Sequence, residues 1–80
     1  MPTLSARELR ALASAAREIR AREQLRQEEV AAAGGLGRKY VGQLERGELS
    51  PSFAALVAVA RGLGVPVSEI ALLYEERLKA

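Results

Sequence analysis

Three clusters of helix-breaking residues decide most of what this chain can fold into. Gly34-Gly35-Leu36-Gly37, the stretch from Gly47 to Pro51, and Gly62-Leu63-Gly64-Val65-Pro66 interrupt it at short intervals. The residues between them favour helix, and nowhere do apolar residues alternate as in a half-buried strand. The blocks read as five helices, which predicts an all-α fold. Half of an 80-residue chain would bury too little apolar surface to stand alone, so residues 1–80 are expected to form one domain.

The first helix is expected to start after Ser5, because Ser5-Ala6-Arg7-Glu8 has the spacing of a capping box. Leu9, Leu12, Ala16 and Ile19 then recur at three and four residues, an apolar stripe that reaches about Gln24. The second helix occupies about residues 27–33, with Glu28 and Glu29 in its first turn, where carboxylates suit the helix dipole. The third covers about residues 38–46, closed by Gly47 as a left-handed cap. Ser52 caps a fourth that buries Phe53, Leu56, Val57 and Ala60 and stops near Leu63-Gly64, and a fifth spans about residues 67–78. The second and third are too short to persist alone. Packing on the other three must hold them, so the bundle is a frame and the short pair is what it displays.

The composition removes several kinds of chemistry. There is no cysteine, histidine or aspartate, hence no disulfide, no imidazole or thiolate metal ligand, and no triad built on His or Cys. No Gly-Lys-Ser/Thr follows the glycine cluster, and a helix rather than a strand precedes it, so neither phosphate-loop nor dinucleotide fingerprint fits. Glu28 and Glu29, like Glu75 and Glu76, are adjacent and diverge by about 100° on a helix, so neither pair converges on a substrate. No enzyme activity, cofactor or metal is expected. No apolar run approaches the ~18 residues of a membrane span, and Met1-Pro2-Thr3-Leu4 is no signal peptide. A cytoplasmic location without membrane contact follows as the expectation.

Charge is unevenly placed. Residues 1–26 carry six Arg against three Glu, residues 27–47 balance, and residues 48–80 carry one more acid than base. On a wheel of about 100° per residue, the third helix turns Val41 and Leu44 inward, with Tyr40 and Glu45 on the flanks. Its outward arc collects Lys39, Gly42, Gln43 and Arg46, with Arg38 at one edge. Arg bridges the two acceptors of guanine and Gln pairs bidentately with adenine, so this set suits a duplex groove. Cations at a helix N-terminus oppose the dipole by about 0.3–1 kcal/mol each, and a mid-helix glycine costs about 1 kcal/mol. Both features point to a partner, with the bare face of Gly42 admitting that partner's backbone. The competing readings are a merely solvated face and a Gly42 packed on a neighbouring helix.

The run from Leu25 to Gly47, L-R-Q-E-E-V-A-A-A-G-G-L-G-R-K-Y-V-G-Q-L-E-R-G, resembles the helix-turn-helix of phage-repressor (Cro/repressor, XRE-like) DNA-binding domains. Gln27, Ala31, Gly35, Val41, Leu44 and the closing Glu45-Arg46-Gly47 fall at the family's spacing, as do Ala16-Arg17-Glu18-Ile19-Arg20 upstream and Ser50-Pro51-Ser52 downstream. Arg26 departs from the usual Ser or Thr cap, Gly34 doubles the turn glycine, and Gly37 replaces a common capping Ser. The resemblance implies a five-helix, lambda-repressor-like bundle with its helix-turn-helix at about residues 27–46 and residues 1–12 extending the first helix. It further implies a dimeric, sequence-specific transcriptional regulator, by expectation a repressor, docking its third helix in the major groove of double-stranded DNA. By position, Arg38, Lys39 and Gln43 would read bases, and Arg17, Arg26, Gln27, Tyr40 and Arg46 would hold phosphates. Arg20 and Glu45 match a structural ion pair joining the first and third helices.

Leu72 lies off the stripe formed by Ile70, Leu73, Tyr74 and Leu78. Leu72 is therefore a candidate homodimer contact, joined by Leu78 in the tail of the same helix, with the extended first helix as the other candidate surface. The alternative function is a protein-interaction module of the same fold, an antitoxin or adaptor acting through a toxin or coregulator.

Overall fold

Ser5 starts the first helix by exchanging two hydrogen bonds with the residue three places on. In the computed structural model, which describes residues 2–80, the Glu8 N–H donates to the Ser5 hydroxyl at 3.1 Å and the Ser5 N–H to the Glu8 carboxylate at 2.8 Å. Hydrogen bonding from Ser5, its backbone N–H above all, holds the Glu8 carboxyl below the usual carboxylate range. Ser52 caps similarly, accepting from the Ala55 N–H at 3.1 Å. Five helices and no strand occur among the described residues: α1 (Ala6–Arg22), α2 (Gln27–Gly34), α3 (Tyr40–Glu45), α4 (Phe53–Leu63) and α5 (Val67–Lys79). Met1 lies outside the described residues, and residues 2–5 precede α1 without helix, so the N-terminal extension is helical only from Ala6.

One core serves all five helices. Ile19 of α1, Val30 of α2, Val41 and Leu44 of α3, Val59 of α4 and Ile70 of α5 are its largest fully buried side chains. α1 packs chiefly on α5 and α2 on α4, while α3 is wedged against α1 and α2. Along the first pair Arg7 donates to the Leu78 carbonyl, Arg77 pairs with Glu18, and Arg22 meets Glu69 at 3.0 Å, so the two helices run in opposite directions.

The α2–α4 crossing is main chain against main chain. A Cβ on Gly34 would lie 2.4 Å from the Ala58 carbonyl oxygen, and one on Gly62 would lie 2.2 Å from that of Val30. The second glycine of the doubled turn is thus explained: Gly35 takes the left-handed cap at φ 70°, and Gly34 makes the close approach. Arg61 completes the joint by donating to the Gly34 carbonyl at 3.2 Å.

Three local expectations are corrected, and the departure at Arg26 shows its effect. α1 ends at Arg22 rather than Gln24, because Gln24 turns to φ 56°. α3 is six residues, shorter than residues 38–46, since Lys39 offers no side-chain acceptor to cap it and Arg38 and Lys39 form a turn. Phe53 is not buried but 72% exposed, because the first turn of α4 overhangs the edge of the core. Arg26, whose guanidinium has no acceptor, leaves α2 with half a cap: its own N–H donates to Glu29 at 2.8 Å.

Gly62→Ala is expected to force α2 and α4 apart and lower stability by about 1–3 kcal/mol. Urea denaturation checks this, and an unchanged midpoint would contradict the close crossing.

Candidate nucleic-acid interface

The angle of α3 is set by a buried carboxylate. Glu45 at its C-terminal end is 3% exposed and accepts three side-chain hydrogen bonds. Arg20 of α1 supplies two, Nε to Oε2 at 2.6 Å and Nη2 to Oε1 at 3.0 Å, while its Nη1 donates to the Leu25 carbonyl at 2.9 Å. Gln27 of α2 supplies the third through Nε2 at 3.0 Å. These contacts raise the Arg20 pKa above its ordinary value, the bonds to Glu45 outweighing partial burial. One acid therefore joins the ends of three helices. Arg17 adds a bond from its guanidinium to the Glu45 backbone carbonyl.

Arg38, Lys39 and Gln43 are all exposed, on the turn before α3 and along its outer side. Among the described residues Arg38 and Lys39 enter no ion pair, so their charge is turned wholly to solvent. Tyr40 is half-buried beside them, and burial pushes its phenol above the usual range. Gly42 corrects the wheel: it is buried, with Arg46 and Gln27 lying over it. A Cβ there would meet the Arg46 guanidinium at 3.0 Å and Gln27 Oε1 at 3.4 Å. The missing side chain serves packing within the protein rather than approach by a partner.

The remaining cations differ in how far they are committed. Arg46 is 58% exposed but paired with Glu48, at 2.8 Å from Nε and 3.2 Å from Nη2. The pairing raises the Arg46 pKa and lowers that of Glu48. Arg26 is 74% exposed and only loosely near Glu28 and Glu29, at 3.7 and 3.5 Å. Gln27 has one amide N–H occupied by Glu45, and Arg17 is held partly by α3. Sequence reasoning missed Glu48 altogether, although its place two residues after Arg46 was visible. It also gave Gln27 a ligand role without its internal bond, for which the sequence holds no signal. Leu72 is 64% exposed on α5, and Leu78 is half-buried.

A family model described as helix-turn-helix matches residues 17–70. No curated protein matches the chain. Among solved structures, the restriction-modification controller protein C.AhdI from Aeromonas hydrophila is 34% identical, over 78% of this chain and 94% of that one, with a TM-score of 0.73. The clp gene regulator ClgR from C. glutamicum is 29% identical over 86% and 90% of the two chains, with a TM-score of 0.79. The controller protein C.Esp1396I, solved as a tetramer with its natural 35-base-pair operator, shares the fold at a TM-score of 0.84 and 20% identity, over 91% and 96%.

Glu45→Ala is expected to lower stability by roughly 2–3 kcal/mol, short of the ~3–5 of a wholly buried pair, because Arg20 stays 24% exposed. Arg20→Ala should cost a similar amount, and the double variant less than the two together. Strict additivity in urea denaturation of the four proteins would contradict the coupling.

Proposed function

The chain belongs to the helix-turn-helix family and is a DNA-binding transcriptional regulator; from that premise we propose that it reads a specific duplex sequence as a homodimeric repressor in the cytoplasm. Residues 38–46 enter the major groove in this reading, with Arg38, Lys39 and Gln43 on base edges. The observation that carries it is the pairing state of these side chains. Two cations stand at the tip of α3 without a carboxylate partner among the described residues, beside an exposed amide, on a helix whose angle is fixed by Glu45.

Phosphate contacts fall to Arg17, Arg26, Gln27, Tyr40 and Arg46, which would set register rather than sequence. Arg46 gives two of its five N–H donors to Glu48, so a phosphate can be met by the rest or take the place of that carboxylate. A homodimer is supported by the two large apolar side chains left exposed among the described residues, Phe53 and Leu72. Phe53 borders a groove of about 520 Å³ that also involves Leu4, Leu12, Leu56 and Tyr74. Leu78 is a weaker candidate because it is half-buried. The operator-bound tetramer of C.Esp1396I supports assembly of several copies on DNA.

Two substitutions separate base reading from phosphate holding. Arg38→Ala should loosen base preference by about 1–3 kcal/mol in a binding-site selection. Arg46→Ala should weaken all sequences alike and reduce the salt slope of log K by about 1. An unchanged selection profile for the first, or an unchanged salt slope for the second, would reverse that assignment. Independently, Leu72→Glu should shift sedimentation toward monomer without altering the circular-dichroism spectrum. A dimer that survives it would move the interface elsewhere.

A further inference from the structure

A polar pocket of about 310 Å³ opens between the N-terminal half of α1 and the end of α5, lined by Arg7, Arg10, Ala11, Ser14, Arg77 and Ala80. Every one of these residues lies outside the family-matched segment 17–70. The pocket is therefore an addition to the helix-turn-helix unit, built where this chain extends beyond it.

Positions 7, 10, 11 and 14 recur at three and four residues, so they share one stripe of α1. Ala11 leaves that stripe shallow, and Ser14 adds a hydroxyl able to donate. Arg77 closes the pocket from α5. Three guanidinium groups around one concavity repel one another, and among the described residues Glu18 pairs with Arg77 while Glu8 lies within coulombic reach of Arg7 without an ion pair to it. Glu8, beside Arg7 in the chain, is occupied by the Ser5 N–H. Arg7 is bonded to the Leu78 carbonyl, and Arg10 is exposed with no ion pair among the described residues. Arg7 also sits in the first turn of α1, where positive charge opposes the helix dipole. Each guanidinium has five N–H donors, so most remain available after these internal bonds.

We propose that this pocket binds a small, multiply charged oxyanion of the phosphate class, held by Arg7, Arg10 and Arg77 with the Ser14 hydroxyl. Planar guanidinium forks match the paired oxygens of such an anion. The pocket is at the lower end of small-ligand volumes, which leaves room for a phosphorylated compound. The site is separate from Arg38, Lys39 and Gln43 and does not depend on the DNA reading.

The test is a calorimetric titration with inorganic pyrophosphate, ionic strength being held constant with sodium chloride, alongside melting curves. Saturable binding to one site per chain and a raised melting temperature are expected. Arg10→Gln, which breaks no internal bond, should weaken binding about tenfold, the scale of one charge-assisted hydrogen bond. Arg77→Gln should act likewise, while Arg38→Ala should leave pyrophosphate binding unchanged. Absence of saturable heat overturns the proposal, as does equal binding by the Arg10→Gln variant or equal loss with Arg38→Ala. If Arg10→Gln weakens binding to a mixed-sequence DNA duplex as much as to pyrophosphate, the pocket belongs to nucleic-acid phosphates and the small-ligand proposal fails. The pyrophosphate titration contains no DNA, so its result stands whichever way the DNA reading falls.

Discussion

A carboxylate removed from water needs donors to remain charged, and Glu45 is where that requirement ties α3 to the rest of the molecule. Its two oxygens take three hydrogen bonds from α1 and α2, and Arg20 directs all three of its nitrogens to this joint. An apolar contact would tolerate a range of rotations, whereas a bidentate fork has one good geometry. A six-residue helix has little stability of its own. Its orientation is thus imposed from outside, by a bond network whose members sit on the two neighbouring helices.

The same side-chain chemistry is put to opposite uses on the two sides of that joint. Arg20 and, in part, Arg17 are turned inward to order the backbone, while Arg38 and Lys39 are left to solvent. Arg46 stands between these conditions, exposed but neutralised by Glu48. Net charge, only +2 for the whole chain, conveys none of this division. What matters is which cations already have a partner.

Features governed by short-range chemistry were legible in the sequence. Ser5, Ser52 and Gly64 bound their helices where hydroxyl acceptors and a glycine cap dictate, and the Val41–Leu44 spacing located the inward side of α3. Features that depend on where another element passes were not. Gly42 looked like an opening for a partner because a wheel cannot show that Gln27 and Arg46 lie across it. Phe53 has the spacing of a core residue, yet its turn of helix projects past the core's edge. The need for glycine at positions 34 and 62 comes from carbonyl groups on the opposite helix, far away in sequence. The start of α3 failed for a different reason: the sequence there contains no capping acceptor, so local pattern could not say where the turn becomes helix.

Arg38 and Lys39 belong to a turn rather than to the first rung of a helix. Only the Lys39 carbonyl joins the helical lattice, accepting from the Gln43 N–H at 3.0 Å, and among the described residues neither side chain enters a hydrogen bond or an ion pair. In the proposed reading, a duplex arriving there must immobilise both side chains as well as touch them, and the entropy lost is recovered only when every contact is made. In that reading, correct and incorrect sequences would be met at similar speeds and told apart by residence time.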